Sequence, residues 1–224
     1  MDPTDGDPQK QDGPEPYGVL WVGGVLSARA GTIWGDGWAG SLDVDESVTF
    51  GEGGASHDQS PFAFAGACAN HQSMSLSLAQ LAPTGAPIAL TPWGDIELVG
   101  SDPSLNVFWV DLGDFDPIQT SFYIDAPAGS TVLVNIFGTA GQLTGGGIYL
   151  TGVDAQHVLY NLPEATSFGV TQMGLFGSLL APFAALDYSN GFIEGTLVAA
   201  SLTGDVEQHI GAFAATIDAP CEAP

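Results

Sequence analysis

The sequence predicts an all-β protein built as a β-solenoid, with one α-helix set among its strands. Three observations carry this expectation. Short Val/Leu/Ile/Phe phrases are separated by turn residues in a chain of 224 residues with 31 Gly and 15 Pro, which is the pattern of an all-β fold. Uncharged phrases recur: Gly177-Ser178-Leu179-Leu180-Ala181 is echoed by Gly195-Thr196-Leu197-Val198-Ala199, an offset of 18 (195 − 177). Val132-Leu133-Val134-Asn135-Ile136 is echoed by Val158-Leu159-Tyr160-Asn161-Leu162, an offset of 26 (161 − 135). Offsets near 18 and 26 without a strict period fit stacked coils whose corner loops differ in length. Stacking at about 4.8 Å sets Leu on Leu inside, Ser178 on Thr196, and Asn135 on Asn161 at a turn. The third observation is that only one segment, 60–82, departs from this style.

Along the chain, residues 1–16 read as a flexible acidic Pro/Gly linker, 17–217 as the β-helix domain and 218–224 as a C-terminal tail. From Tyr17 to Gly54 the phrases "GVLWVGG", "VLSARAG", "TIWGDGWAG" and "SLDVDESVTFGEGG" are too short and too Gly-bound for helix. In the last of them Leu42, Val44, Val48 and Phe50 fall on one face of extended chain. The segment "SPFAFAGACANHQSMSLSLAQLA" reads as a helix over about 61–82. Ser60 is the N-cap, Pro61 takes the first helical position, and Pro83 and Gly85 end it. Phe64, Cys68, His71, Ser75, Leu78 and Ala82 form its stripe, which should lie along a sheet face. From Ile88 onward strand phrases resume: "DIELVG", "LNVFWVDL", "SFYIDA", "STVLVNIFG", "GIYLTG" and "HVLYNLPEAT".

Composition excludes several functions. Two Lys+Arg stand against 26 Asp+Glu, a formal net charge of −24, although only 12% of residues are charged. Without cations no basic patch forms, so nucleic acid is excluded as a partner. Anionic membranes and anionic polysaccharides are repelled for the same reason. No run reaches the roughly 18 apolar residues of a membrane-spanning helix, so no membrane insertion is expected of this chain. The N-terminus has neither a basic n-region nor an apolar core, so a secreted form is expected to have lost its leader. The two cysteines, Cys68 and Cys221, fit no zinc spacing. They read as a disulfide tying the C-terminal tail to the body, the other reading being two unrelated thiols.

In order, "LNVFWVD" (105–111), "DAPAGSTVLVNIFG" (125–138), "VLYNLPEAT" (158–166), "GLFGSLLAP" (174–182) and "GFIEGTLVAASLTG" (191–204) resemble the bacterial choice-of-anchor A family, an ice-binding-like adhesive domain. The resemblance covers roughly 60–211 well and 17–54 more loosely, and the helix ending "LSLAQLAPTG" fits it. It implies a right-handed β-helix with an α-helix packed alongside, secretion, and attachment to the bacterial cell surface through a separate anchor. The anchor is expected to be missing from this chain, because "DAPCEAP" contains no sorting motif or apolar tail. The family supplies no catalytic residues.

Candidate sites are few. Asp111, Asp114 and Asp116 in "DLGDFDP" could take Ca²⁺, as could the acids of "DVDES", but neither has EF-hand spacing. Turn chemistry explains the same residues, because Asp bonds its own backbone at corners. Trp34, Trp38 and Trp93 in Gly-rich loops are the candidate contact surface, since Trp offers large area at low entropic cost. The alternative role for them is capping an open solenoid end. His57, His71, His157 and His209 show no metal spacing, and no Gly-x-Ser-x-Gly elbow is present. A glycosidase would need facing carboxylates about 5 to 9.5 Å apart, for which Asp95, Glu97 and Asp111 are the candidates. Thr-x-Thr is absent, so ice binding reads as an ancestral shape. The expected function is a secreted, surface-associated adhesive or structural module without catalysis or cofactor. Its partner would be an extracellular protein or glycan, or itself. The alternatives are a self-assembling fibre subunit and a carbohydrate-active β-helix enzyme.

Overall fold

Parallel strand pairing dominates the computed structural model, which describes residues 18–51, 54–58, 63–86, 88–115, 119–209 and 211–218. The expected linker 1–16 and the Ser60-Pro61 helix start lie outside the described residues. The chain divides into two units, 1–69 and 70–224.

The first unit holds β1 (Gly18–Ala28), β2 (Gly31–Trp34), β3 (Asp36–Val44), β4 (Val48–Gly51) and β5 (Ser56–His57). They form two parallel sheets, in the orders β1-β3-β5 and β2-β4. Register sets Trp21 on Trp38 and Trp38 on His57. Arg29, the described residues' one Lys or Arg, forks onto the Asp43 carboxylate and is exposed. That hydrogen bond holds the Asp43 carboxyl below its ordinary range.

Helix α1 (Phe64–Ala79) crosses from the first unit into the second. It has no β-branched residue, so little rotamer freedom opposes it. Its buried residues are Ser75 and Leu78. Cys68, expected on the buried stripe, is exposed on the N-terminal half.

The second unit continues with β6 (Ala89–Leu90), β7 (Ile96–Val99), β8 (Leu105–Asp111), β9 (Phe122–Asp125), β10 (Thr131–Phe137), β11 (Ala140–Thr144) and β12 (Ile148–Thr151). It ends with β13 (Val158–Asn161), β14 (Ser167–Thr171), β15 (Gly174–Phe176), β16 (Ser178–Ser189), β17 (Phe192–Glu194), β18 (Leu197–Gly204) and β19 (Glu207–His209). Apart from the β6–β7 hairpin, every pairing is parallel. Coils contribute up to three strand segments each, such as β10, β11 and β12. The bent β16 supplies two: its start pairs β13 and its end pairs β14.

The repeats do stack as the offsets require. Val132 pairs Val158 through Asn135 on Asn161, and Leu179 pairs Leu197 through Ala181 on Ala199. Ser178 Oγ accepts the Thr196 N–H at 3.0 Å. Alternation sends Phe108, Phe122, Val134, Ile136, Tyr160, Leu179 and Leu186 into one apolar interior. Burial pushes the Tyr160 phenol far above its ordinary range. Gly195 is obligatory, because an added Cβ would lie 2.2 Å from the Gly177 carbonyl oxygen of the coil below.

Asn135 is inside its strand rather than at a turn, which corrects the expectation there, while Asn161 is the last residue of β13. They form one row with Trp109, and each coil's member donates to the helix or the turn after it. Asn161 Nδ2 bonds the Ser75 carbonyl at 2.9 Å, Asn135 Nδ2 the Leu78 carbonyl at 3.0 Å, and Trp109 Nε1 the Leu81 carbonyl at 3.0 Å. The acceptors are three residues apart. A helix rises about 4.5 Å in three residues, close to the strand spacing of about 4.8 Å, so one coil matches one such step. Asn161 Nδ2 also bonds Asn135 Oδ1 at 2.7 Å, and Ser75 Oγ bonds Asn161 Oδ1 at 2.6 Å. Beside this row Val107, Leu133 and Leu159 pack with Leu78 in a second apolar cluster.

Asn161→Ala orphans the Ser75 hydroxyl and the Asn135 carbonyl in a dry site. It should cost about 3 kcal/mol, as buried partners left unpaired do. Trp109→Phe, at a more exposed rung, should cost about 1 kcal/mol or less. Urea unfolding of both variants checks the order; equal losses would refute the clamp.

Candidate functional site

The sheet segments β11, β14, the second half of β16 and β18 present one outward face. Inward-pointing Leu143, Phe168, Val170, Leu186 and Tyr188 anchor it from below. Alternation then leaves three outward rows: Ala140-Ser167-Ala185-Ser201, Gln142-Gly169-Asp187-Thr203 and Thr144-Thr171-Ser189. Only Gln142 is long and only Asp187 is charged. Neighbours along a row are about 4.8 Å apart, and rows are about 6.6 Å apart, two residues of extended chain. The result is a flat, weakly polar grid on parallel strands.

The grid ends at a repeated corner. Thr144, Thr171 and Ser189 are each followed by a left-handed residue: Gly145 (φ 60°), Gln172 (φ 55°) and Asn190 (φ 55°). The corner N–H groups are satisfied by the next coil, Gly145 N by the Thr171 carbonyl at 3.0 Å and Gln172 N by the Ser189 carbonyl at 3.0 Å. Beneath it, the Tyr188 hydroxyl donates to the Met173 carbonyl at 3.1 Å and is also close to the Phe192 carbonyl. Burial raises the pKa of that phenol, so it stays a donor.

Sequence reasoning missed this face, since it looked for Thr-x-Thr within one strand. The row runs across coils, one residue from each. A signal was present in "LTG" (143–145), "VTQ" (170–172) and "YSN" (188–190), apolar-hydroxyl-turn triplets that share a register.

The residues singled out from the sequence have settings of their own. Trp38 lies between Trp21 (centroids 6.0 Å, 8° interplanar) and His57 (4.8 Å, 18°) in a ladder. The Trp34 ring covers the backbone of Gly51, where a Cβ would lie 2.1 Å from it. Trp93 is 83% exposed on a tight turn. In that turn Thr91 Oγ1 accepts the N–H groups of Trp93 and Asp95 at 3.2 and 3.1 Å. These three Trp side chains therefore have different settings, and none lies on the grid.

Asp111 Oδ1 accepts the Gly113 N–H at 2.7 Å, capping the short 3₁₀ turn that contains Asp114. Asp116 lies outside the described residues. Among the described residues no three His, Cys, Asp or Glu side chains come together as a metal site. Cys68 is a free thiol, so the expected disulfide is not formed at that residue; its expected partner Cys221 lies outside the described residues. A recess lined by Pro83, Gly85, Ala86, Ile88, Phe108 and Trp109 is apolar, with no carboxylate in its lining. Among the described residues no helix is long and apolar enough to cross a membrane.

Tyr188→Phe should cost about 1 kcal/mol while leaving the outward rows unchanged. Thermal unfolding measures the loss. A loss of several kcal/mol would mean that the phenol does more than fix the corner.

The fold is similar to that of an ice-binding protein from the Antarctic ascomycete Antarctomyces psychrotrophicus, with a TM-score of 0.51, 15% identity, and coverage of 86% of this chain and 91% of that one. An ice-binding protein with antifreeze activity from an Arctic yeast also matches, at a TM-score of 0.46, 11% identity, and 92% and 93% coverage. Among curated proteins nothing matches. The architecture is thus mostly β, with parallel strands and one helix, as in β-helix-like ice-binding proteins. A model of the ice-binding-like adhesive domain matches residues 3–210, nearly the whole length, and the chain belongs to that family.

Proposed function

We propose that the chain is a non-catalytic adhesive module, secreted and held at the bacterial cell surface, that meets an extended partner surface with the flat face of β11, β14, β16 and β18. The coils are read as those of a right-handed β-helix. The observation that carries the function is the grid itself. A flat array of small side chains on a stiff parallel sheet cannot enclose a small molecule, but it presents many equivalent short contacts to something equally flat. Such contacts are individually weak and act by number. The face is organised before binding, so little ordering entropy opposes docking. No cofactor is needed for this, and no catalytic group is assigned.

A second reading names ice as the extended surface. The Thr144-Thr171-Ser189 row supports it: regularly spaced hydroxyl groups on a flat face suit a crystalline partner.

The test places a large side chain in the grid. Ser167→Tyr is exposed and should fold normally, with Gly169→Tyr as a second variant. Adsorption of labelled protein to bacterial cells, to mineral particles and to growing ice should fall at least about tenfold on the surface that is the true partner. Wild-type adsorption to cells or particles favours the general adhesive reading, and adsorption to ice alone favours the second. Full retention of adsorption by both variants would sink the face as the site.

A further inference from the structure

The third side of the second unit, formed by β7, β9 and β12, carries a different surface. Its strands alternate strictly: Ile96, Leu98, Phe122, Ile124 and Ile148 are buried, while Glu97, Val99, Tyr123, Asp125, Tyr149 and Thr151 face out. Register puts Glu97, Tyr123 and Tyr149 in one row and Val99, Asp125 and Thr151 in the next. Tyr123 and Tyr149 are 43% and 54% exposed. Large exposed apolar area of this kind marks interaction sites more often than plain solvent surface.

The rings stack on each other, with centroids 4.8 Å apart and planes 13° apart. They therefore stand on edge. The face of Tyr149 that meets Tyr123 is covered, and the opposite face of Tyr123 looks along the row toward Glu97. Neither the Glu97 nor the Asp125 carboxylate has a hydrogen-bond or ion-pair partner among the described residues. Residues 70–224 contain no Lys or Arg, so the unit itself has no such cation to offer them. Burial, then the charges of Asp95 and Glu97 with Tyr149 between them in effect, raises the pKa of the Tyr123 phenol.

We propose that this face docks an extended, arginine-bearing segment of a partner protein, one guanidinium stacking on the free face of Tyr123 while the Glu97 carboxylate accepts its N–H groups. A planar cation suits a ring face bordered by a carboxylate, because stacking and bidentate hydrogen bonding act together. Arginine fits better than lysine, whose ammonium is compact and strongly hydrated. A sugar ring fits poorly, since two tyrosines stacked on each other offer no broad flat platform. Asp125 in the adjoining row, and Trp93 on the turn leading into β7, are placed to extend the same surface. This inference does not depend on the flat grid, which lies on other strand segments.

The test is calorimetric titration of the whole chain with an octa-arginine peptide, at low and at physiological salt. Tyr123→Ala and Glu97→Gln should each weaken binding by about 5- to 30-fold. Tyr123→Phe, which keeps the ring, should bind like the wild type. Asp154→Asn, removing an exposed carboxylate paired with His157, should have no effect. Octa-lysine should bind more weakly than octa-arginine. Absence of octa-arginine binding, equal losses in Asp154→Asn and Glu97→Gln, or unchanged affinity in Tyr123→Ala would overturn the proposal. So would equal binding of octa-lysine. A neutral chitin oligosaccharide that binds and is lost in the same variants would reassign the face to a glycan and overturn it equally.

Discussion

The structure of the second unit depends on a coincidence of two lengths. Three residues of helix advance about 4.5 Å, and neighbouring strands are about 4.8 Å apart. The side of a coil stack can therefore be stitched to a helix at one bond per coil. Trp109, Asn135 and Asn161 make those bonds to the carbonyls of Leu81, Leu78 and Ser75. The Leu78 acceptor lies in the last turn of the helix and the Leu81 acceptor in the turn after it, where carbonyls lack the i+4 partner of regular helix. The sheet thus caps the helix, and the helix fixes the stagger of the coils.

Apolar packing supplies the bulk of the stabilisation, and the polar row supplies direction. Val107, Leu133, Leu159 and Leu78 would tolerate some sliding, because hydrophobic contact is not directional. A buried asparagine tolerates none, since a slip of one rung strands its amide away from water. With the helix side pinned, the other two sides present exposed surfaces of different character. One bears small residues in rows and the other a tyrosine ladder with carboxylates.

Much of this was readable in advance where one residue dictates its neighbour. Similar phrases at offsets of 18 and 26 suggested stacked coils, and they do pair in parallel with like residues on like. The helix was readable because 60–82 lacks the β-branched and Gly-bounded phrases found elsewhere. Its limits were less so: the observed span is Phe64–Ala79, and Cys68 lies on a surface that the stripe assigned to the interior. The tryptophans were singled out by type and by their Gly-rich setting; Trp38 belongs to a ladder and Trp34 covers a glycine. Residue type reports what a side chain can do, and only neighbours report what is left for it to do.

The sequence by itself determined the class of fold, the repeat lengths and the family, because each rests on composition or on local order. The tertiary structure decided which residues share a face. Thr144, Thr171 and Ser189 are 18 to 27 residues apart, and so are unrelated until the corner geometry of each coil sets their register. The same holds for Glu97, Tyr123 and Tyr149, whose strands belong to three coils. A surface assembled one residue per coil has no local signature, since its period is the coil length and that length varies.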